Sequence, residues 1–397
     1  MWVRHLTLTN FRNYRHQELT LSQGPSLVLG DNAQGKSNLL EAVFLLASAR
    51  SERAQTDSEL IHWDARDDPQ PVARITAEVE RRDGTLQLEV IVVGRPRGDN
   101  DASGRSGRRL VASKRLRVNG LARRQQDMIG QLTAVLFTTD DMEIISGGPA
   151  ERRRFLDVTL SQLDPAYLKA LQRYGKVVTQ RNALLRRIQD GESSPEELEF
   201  WDGELAGHGA VLIHQRAVAV ESLARYAGEA HRHVSGGEEE LSVTYQPRLE
   251  GWDGPRIAAE PDALVAALRD ALAAGRRRDI GAGVTLTGPH RDDLALTLNG
   301  VAATSFASRG QQRTAALALR LAEARFMAGR KGDGPVVLLD DVLSELDEAR
   351  RRAVLESLEE WDQLLITSAD IDRFGEGLPA SAAVFRVLAG RIENVSA

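Results

Sequence analysis

Apolar and polar residues alternate from Val3 to Phe11, with Leu6 and Leu8 on the apolar side, and a period of two predicts a strand with one buried face. Ser26 to Leu29, Val72 to Val79, Leu86 to Val93 and Leu110 to Val118 carry further strand patterns, so the first third predicts a hairpin-rich sheet. Within it, Lys36 to Ala49 places Leu39, Leu40, Val43, Phe44 and Ala47 at helical spacing. The period changes near Gly148-Pro149. Tyr167, Leu171, Tyr174, Val178, Leu185 and Ile188 keep a 4,3 spacing, broken only by Arg181 at a seam position. Asp190 to Pro195 interrupts the pattern, and Ser194-Pro195-Glu196-Glu197 has the chemistry of a helix start: Ser as N-cap, Pro in the first turn, Glu for a capping box. Leu198, Trp201, Leu205, His208 and Leu212 then resume the spacing, which loosens toward Gly236-Gly237. An antiparallel helical hairpin and an ordinary helical subdomain with a buried seam both fit.

The last third predicts a short helix at Asp262 to Ala274 and strands at Val284 to Leu286 and Leu294 to Leu298. A strong helix follows at Arg313 to Ala328, then a buried strand at Val336 to Leu339. Helix and strand alternate here as in an α/β core.

At 397 residues there is room for two or three domains. No apolar run approaches the ~18 residues of a membrane span, and the N-terminus has no signal-peptide pattern, so the expectation is a cytoplasmic, membrane-free protein. Cysteine is absent, which excludes disulfides and thiolate metal sites. The net charge of −6 argues against nucleic acid only if charge is spread evenly. It is not: Arg95, Arg97, Arg105, Arg108, Arg109, Lys114, Arg115 and Arg117 crowd one Gly/Ser-containing stretch, and Arg276-Arg277-Arg278 forms a second cluster. A solvated insertion and a phosphate-backbone footprint on DNA both account for the first cluster.

Gly30-Asp31-Asn32-Ala33-Gln34-Gly35-Lys36-Ser37 is a complete G-x-x-x-x-G-K-S loop, lying between an apolar strand and a helix, with Asn38 next. The glycines at 30 and 35 are expected to turn with φ > 0 and let backbone N–H groups approach phosphate. Lys36 supplies charge for the β/γ-phosphates of ATP and Ser37 a hydroxyl for Mg²⁺. Two carboxylates end the strand Val336 to Leu339, the edge where α/β sheets bind ligands. Asp340 is placed to hold Mg²⁺, directly or through water, and Asp341 to orient or deprotonate the attacking water. Ser308-Arg309-Gly310-Gln311 opens a helix and would make a second phosphate cradle. Two cradles in one chain imply that each serves a different ATP.

Ser308-Arg309-Gly310-Gln311 resembles the signature of the ABC-type ATPases, and Leu343-Ser344-Glu345-Leu346-Asp347 their D-loop. The resemblance implies two ATPs sandwiched between the phosphate loop of one copy and the signature of the other, which adds Ser308, Gly310, Gln311 and Asp347 to the nucleotide-binding residues. A transporter motor subunit is the alternative within that superfamily, but it would lack a helical hairpin between the motifs. Finer motifs are similar to the RecF family of bacterial recombinational repair ATPases. They are Asn10-Phe11-Arg12-Asn13-Tyr14, Lys36-Ser37-Asn38-Leu39-Leu40-Glu41-Ala42, Asp140-Asp141-Met142-Glu143-Ile144-Ile145, Gly148 through Asp157, and Gly288-Pro289-His290-Arg291-Asp292-Asp293.

This resemblance implies a fold of class α/β: an ABC-type head from residues 1–148 and 280–397 with an inserted helical lobe at 149–279. It adds Arg12 to the nucleotide-binding set, with Lys36, Ser308 and Asp341 in catalytic roles. It implies binding of double-stranded DNA and single-strand/double-strand junctions, an ATP-dependent homodimer, and work with RecR and RecO to load RecA at gaps, linked to replication-fork recovery and SOS induction. Asp341 stands where the superfamily has glutamate; its shorter reach predicts a slow ATPase acting as a switch or timer. The histidine expected after the next strand is missing, since Leu364-Leu365-Ile366-Thr367 leads to Ser368, and no Q-loop glutamine is placed.

Overall fold

The alternation at the N-terminus forms strand β1 (Trp2–Phe11), and a second strand that the pattern concealed, β2 (Tyr14–Thr20), turns back against it. A computed structural model describes residues 1–97, 109–253, 256–257, 260–358, 360–370 and 382–395. The strands that follow are β3 (Gly24–Leu29), β4 (Val72–Arg81), β5 (Gly84–Arg97), β6 (Arg109–Val118), β7 (Leu121–Arg123) and β8 (Ala134–Phe137). Beyond the helices come β9 (Leu241–Gln246), β10 (Asp293–Leu298), β11 (Val301–Ala302), β12 (Val336–Asp340), β13 (Gln363–Ser368), β14 (Ala383–Leu388) and β15 (Arg391–Asn394).

The chain divides into two compact units, Met1–Thr139 with Met327–Ala397, and Asp140–Phe326. In the first, an antiparallel sheet has the order β2-β1-β4-β5-β6-β7, and a second sheet has the order β15-β14-β3-β13-β12-β8. The second is parallel except for β15, and its central strands β3, β13 and β12 are largely buried, with the apolar runs Leu27-Val28, Leu364 to Ile366 and Val336 to Leu339, because both faces are covered. Both chain ends contribute to it. The wholly buried Gln363 joins the sheets: its Oε1 accepts the Val3 N–H at 2.9 Å and its Nε2 donates to Val3 O at 2.9 Å. Buried amides of this kind persist only when both ends are satisfied.

The second unit is mainly helical. Pro165–Gln189 and the 37-residue Leu198–Val234, about 55 Å at 1.5 Å per residue, form a hairpin. It is antiparallel, since Arg181 bonds Asp202, Tyr174 abuts Gly209 and Arg216 bonds Tyr167. Ser194 and Glu197 form the capping box at the return. A third helix, Pro261–Ala282, packs against the pair, so the hairpin sits within a helical subdomain. Arg181 does occupy the seam: wholly buried, its Nε donates to Asp202 Oδ1 at 2.8 Å and its Nη1 to Asp279 Oδ2 at 2.7 Å.

Three expectations need revision. Val284 to Leu286 is not a strand, because its backbone donors go to side chains: Thr285 N–H to Asn182 Oδ1 at 2.8 Å and Leu286 N–H to Asp279 Oδ1 at 3.1 Å. The helix before it runs to Ala282, beyond the expected Ala274. Residues 280–326, expected with the head, group with the helical unit, since β10 pairs with β9 and β11 in a three-stranded sheet. Among the described residues, no helix is long and apolar enough to cross a membrane.

Candidate nucleotide site

Strand β3 ends at Leu29 and the helix Lys36–Ser48 begins seven residues later, so residues 30–35 form the loop whose N–H groups precede a helix N-terminus. Gly35 has φ 122, and a Cβ there would lie 2.6 Å from Asn13 Nδ2. Gly30, expected to need φ > 0, does not adopt it; its small size is required because a Cβ would lie 2.5 Å from Val387 O. The positive φ falls on Ala33 instead, at 65°.

The loop is gripped from two other segments. Asn13 Nδ2 donates to Gln34 O at 2.7 Å, Asn38 Nδ2 donates to Asn13 Oδ1 at 2.8 Å, and Tyr14 OH donates to Gly35 O at 2.8 Å. From the β14–β15 turn, Ala389 N–H donates to Gln34 Oε1 at 2.6 Å and Gly390 N–H to Gln34 O at 3.1 Å. Asp31, Asn32 and Ala33 remain exposed. The sequence placed Tyr14 in the Asn10–Tyr14 motif but gave neither it nor the β14–β15 turn a supporting role, because both act on residues distant in sequence.

Lys36 is buried and its Nζ donates to Gly30 O at 2.6 Å and Asp31 O at 2.9 Å. Burial lowers its pKa, while the carboxylates of Asp341, Asp340 and Asp31 oppose that shift. Ser37 Oγ donates to Asp340 Oδ1 at 2.8 Å, and Thr367 Oγ1 donates to the same oxygen at 2.9 Å. The Asp341 N–H donates to Thr367 Oγ1 at 2.9 Å, whereas Asp341 Oδ1 is buried without a hydrogen-bond partner. A hydroxyl, one carboxylate and an unsatisfied carboxylate oxygen beside a lysine form a donor set of the right chemistry for Mg²⁺ and a water.

Arg12 forms a bidentate pair with the buried Glu41, at 2.8 Å from Nε and 2.7 Å from Nη2, and Nη1 donates to Glu59 O at 3.2 Å. Ser308 is exposed and acts as the cap of the helix Arg309–Lys331. Gln311 N–H donates to its Oγ at 3.3 Å and Ser308 N–H to Gln311 Oε1 at 2.8 Å, a reciprocal box with Gly310 inside its first turn. Asp347 is exposed, and its Oδ1 accepts the Arg350 N–H at 2.9 Å.

The basic cluster is only partly brought together. Residues paired across antiparallel strands share a face, so Arg115 lies in a row with Ile91 and Arg74, and Arg117 in the next with Glu89 and Thr76. Arg95, Arg115 and Arg117 are exposed on this face, where Glu89 lies 3.3 Å from both Arg74 and Arg117. Lys114 projects from the opposite face and pairs with Asp57 at 2.9 Å. Arg97 and Arg109 are backbone partners in the β5–β6 register, and Arg105 and Arg108 lie outside the described residues. Of the second cluster, Arg276 is tied to Asp202 at 2.7 Å, while Arg277 and Arg278 are exposed.

In the helical unit, two sequence motifs meet. Arg152 Nε donates to Asp293 Oδ1 at 2.6 Å and Arg153 Nη1 to Asp292 O at 2.7 Å; the buried Arg216 donates to Asp157 Oδ1 at 2.7 Å and Pro289 O at 2.7 Å. The Gly148–Asp157 and Gly288–Asp293 segments thus form one polar core.

The family model described as RecF/RecN/SMC N terminal domain matches residues 2–388. The DNA replication and repair protein RecF of Chloroflexus aggregans is 45% identical over 399 residues, covering 99% of each chain, and that of Chloroflexus aurantiacus 43% over 399 residues with the same coverage. A solved structure described as the recombination mediator protein RecF-ATPrS in the RecFOR pathway superposes with a TM-score of 0.83 at 30% identity, covering 99% of this chain and 98% of that one. A Pyrococcus furiosus Smc head domain shares the fold at 17% identity and a TM-score of 0.53, covering 99% of this chain and 96% of that one. With its α/β head of the ABC-type ATPase fold and a match along nearly the whole chain, this protein belongs to the RecF family.

Proposed function

We propose that the chain binds ATP with Mg²⁺, hydrolyses it slowly, and uses the two nucleotide states to control its assembly on DNA in recombinational repair. The observation that carries this reading is the meeting of Ser37 and Asp340, 303 residues apart in sequence, at 2.8 Å beside Lys36. The chain's kinship with RecF proteins, one of them solved as RecF-ATP, supports it. Lys36, now donating to two carbonyls of its own loop, would turn to the β/γ-phosphate oxygens. Ser37 and Asp340 would hold Mg²⁺, whose charge offsets that developing on the phosphate. Asp341 would orient the attacking water through its unsatisfied oxygen. Arg12, the loop residues Gly30 to Asn38, and a second copy's Ser308, Gly310, Gln311 and Asp347 complete the nucleotide site in this reading.

A nucleotide shared by two copies shifts the monomer–dimer equilibrium toward dimer. Ser308→Arg is therefore expected to leave ATP binding nearly unchanged and abolish ATP-dependent dimerisation in sedimentation velocity. A variant that still dimerises with ATP refutes the sandwich. The partners in this reading are duplex and gapped DNA in the cytoplasm, with RecR and RecO, ahead of RecA loading. Footprinting on gapped duplex with and without ATP tests it: protection at the junction that requires ATP is expected, and uniform protection or none counts against it.

A further inference from the structure

Thr367, the penultimate residue of strand β13, is almost wholly buried, yet its hydroxyl serves both carboxylate residues of the neighbouring strand end. It donates to Asp340 Oδ1 at 2.9 Å and accepts the Asp341 N–H at 2.9 Å, with Leu339 O farther away at 3.3 Å. This placement follows from register, because β12 and β13 pair in parallel with Asp340 opposite Thr367. A hydroxyl is both donor and acceptor, so one side chain can hold a carboxylate and a backbone amide together. A valine of similar shape could do neither.

Asp341 needs that hold. It leaves β12 with φ 56 and ψ 16, a left-handed conformation uncommon outside glycine and maintained only when neighbours fix it. Its N–H is held by Thr367 and its C=O accepts the Ser344 hydroxyl at 2.7 Å, while its buried Oδ1 has no partner. The same Asp340 oxygen that Thr367 engages also accepts from Ser37, so two side chains, 330 residues apart in sequence, converge on one atom.

We infer that Thr367 is a positioning residue of the nucleotide site: it sets the Asp340 carboxylate against Ser37 and fixes the Asp341 backbone so that one carboxylate oxygen stays free. The inference rests on the proposed ATP·Mg²⁺ reading and assigns Thr367 a role there through its bonds to Asp340 and Asp341. A hydrogen bond to a charged group is worth about a tenfold change or more in binding, so the expected effect is on how much Mg²⁺ the site requires.

The test measures binding of a fluorescent ATP analogue to the full-length chain as MgCl₂ is raised, for wild type, Thr367→Val, Thr367→Ser and Asp340→Asn. Circular dichroism confirms that each variant is folded. Thr367→Val is expected to raise the Mg²⁺ concentration at half-maximal binding about tenfold, with Thr367→Ser within about twofold of wild type. In an Asp340→Asn background, adding Thr367→Val should cause no further shift, the non-additivity expected of residues acting through one another. Unchanged Mg²⁺ dependence in Thr367→Val overturns the inference, as does a shift that persists in full beside Asp340→Asn, which would be a packing effect. Wild type binding no analogue at any Mg²⁺ concentration would instead overturn the nucleotide reading itself, and this inference with it.

Discussion

Lys36 is held by two carbonyls of its own loop and by the field of three carboxylates, which offsets only part of the tendency of burial to discharge it. Lys36→Ala removes the only lysine of that loop, and ATP affinity by calorimetry is expected to fall about tenfold or more; an unchanged affinity would place the phosphates elsewhere. His290 presents a different residue-scale case. Its Nε2 lies 2.9 Å from Thr285 O and its Nδ1 2.7 Å from Tyr174 OH, an arrangement suited to the neutral ring. Burial first, then the Arg291, Arg153 and Arg181 cations, lower its pKa to about 4, partly opposed by the Thr285 carbonyl. The unfolded chain binds that proton near the ordinary pKa of 6.5, so between there and about 4 the unfolded state carries more protons and stability falls as pH falls. Replacing His290 with Gln is expected to remove about 2–3 kcal/mol of this pH dependence in urea unfolding over that window. A wild-type and variant pair with parallel stability-versus-pH curves would contradict it.

Among the elements, the helical seam depends most on one unexpected residue. Arg181 breaks the apolar spacing of Pro165–Gln189 in sequence, and the structure seats it between Asp202 and Asp279, one from each of the other two helices. Truncating it leaves the buried Asp279 without its cation and Asp202 with Arg276 alone, so Arg181→Ala should cost about 3–5 kcal/mol in denaturant unfolding, whereas an exposed arginine such as Arg187 should cost less than about 0.5 kcal/mol when truncated. Equal losses would show the seam to be tolerant. The pattern in the sequence marked the helices correctly but could not say that a polar position was internal, because the compensating aspartates lie 21 and 98 residues away. Strand β2 was hidden for another reason: its polar residues keep little alternation. Strand β9 was legible in principle, since Leu241, Val243 and Tyr245 alternate on its buried face.

For the whole molecule, the net charge of −6 says little about DNA, whereas the face carrying Arg95, Arg115 and Arg117 says more. Each arginine–phosphate ion pair on duplex DNA releases condensed counterions, and removing one lowers the log–log salt slope of binding by about 0.9. Replacing these three arginines with serine is expected to lower the slope by about two to three, measured by fluorescence anisotropy at graded salt. Lys114→Ser should leave it nearly unchanged, since Lys114 lies on the other face and pairs with Asp57. If Lys114 mattered as much as Arg115, the face would not be the DNA surface.

The sequence by itself determined what depends on neighbours along the chain: the phosphate loop between strand and helix, the buried strand ending in two carboxylates, the helix caps and the two long helices. These are local because turn geometry, hydrophobic period and capping act within a few residues. Tertiary structure alone decided which distant groups meet. It brought Asp340 to Ser37, set Thr367 between the two carboxylate residues by strand register, propped the loop from Asn13 and from the β14–β15 turn, and separated Lys114 from its arginine neighbours. The physical reason is that sheet order, register and face fix side chains across hundreds of residues, and a linear pattern records only which residues want burial, not what they will be buried against.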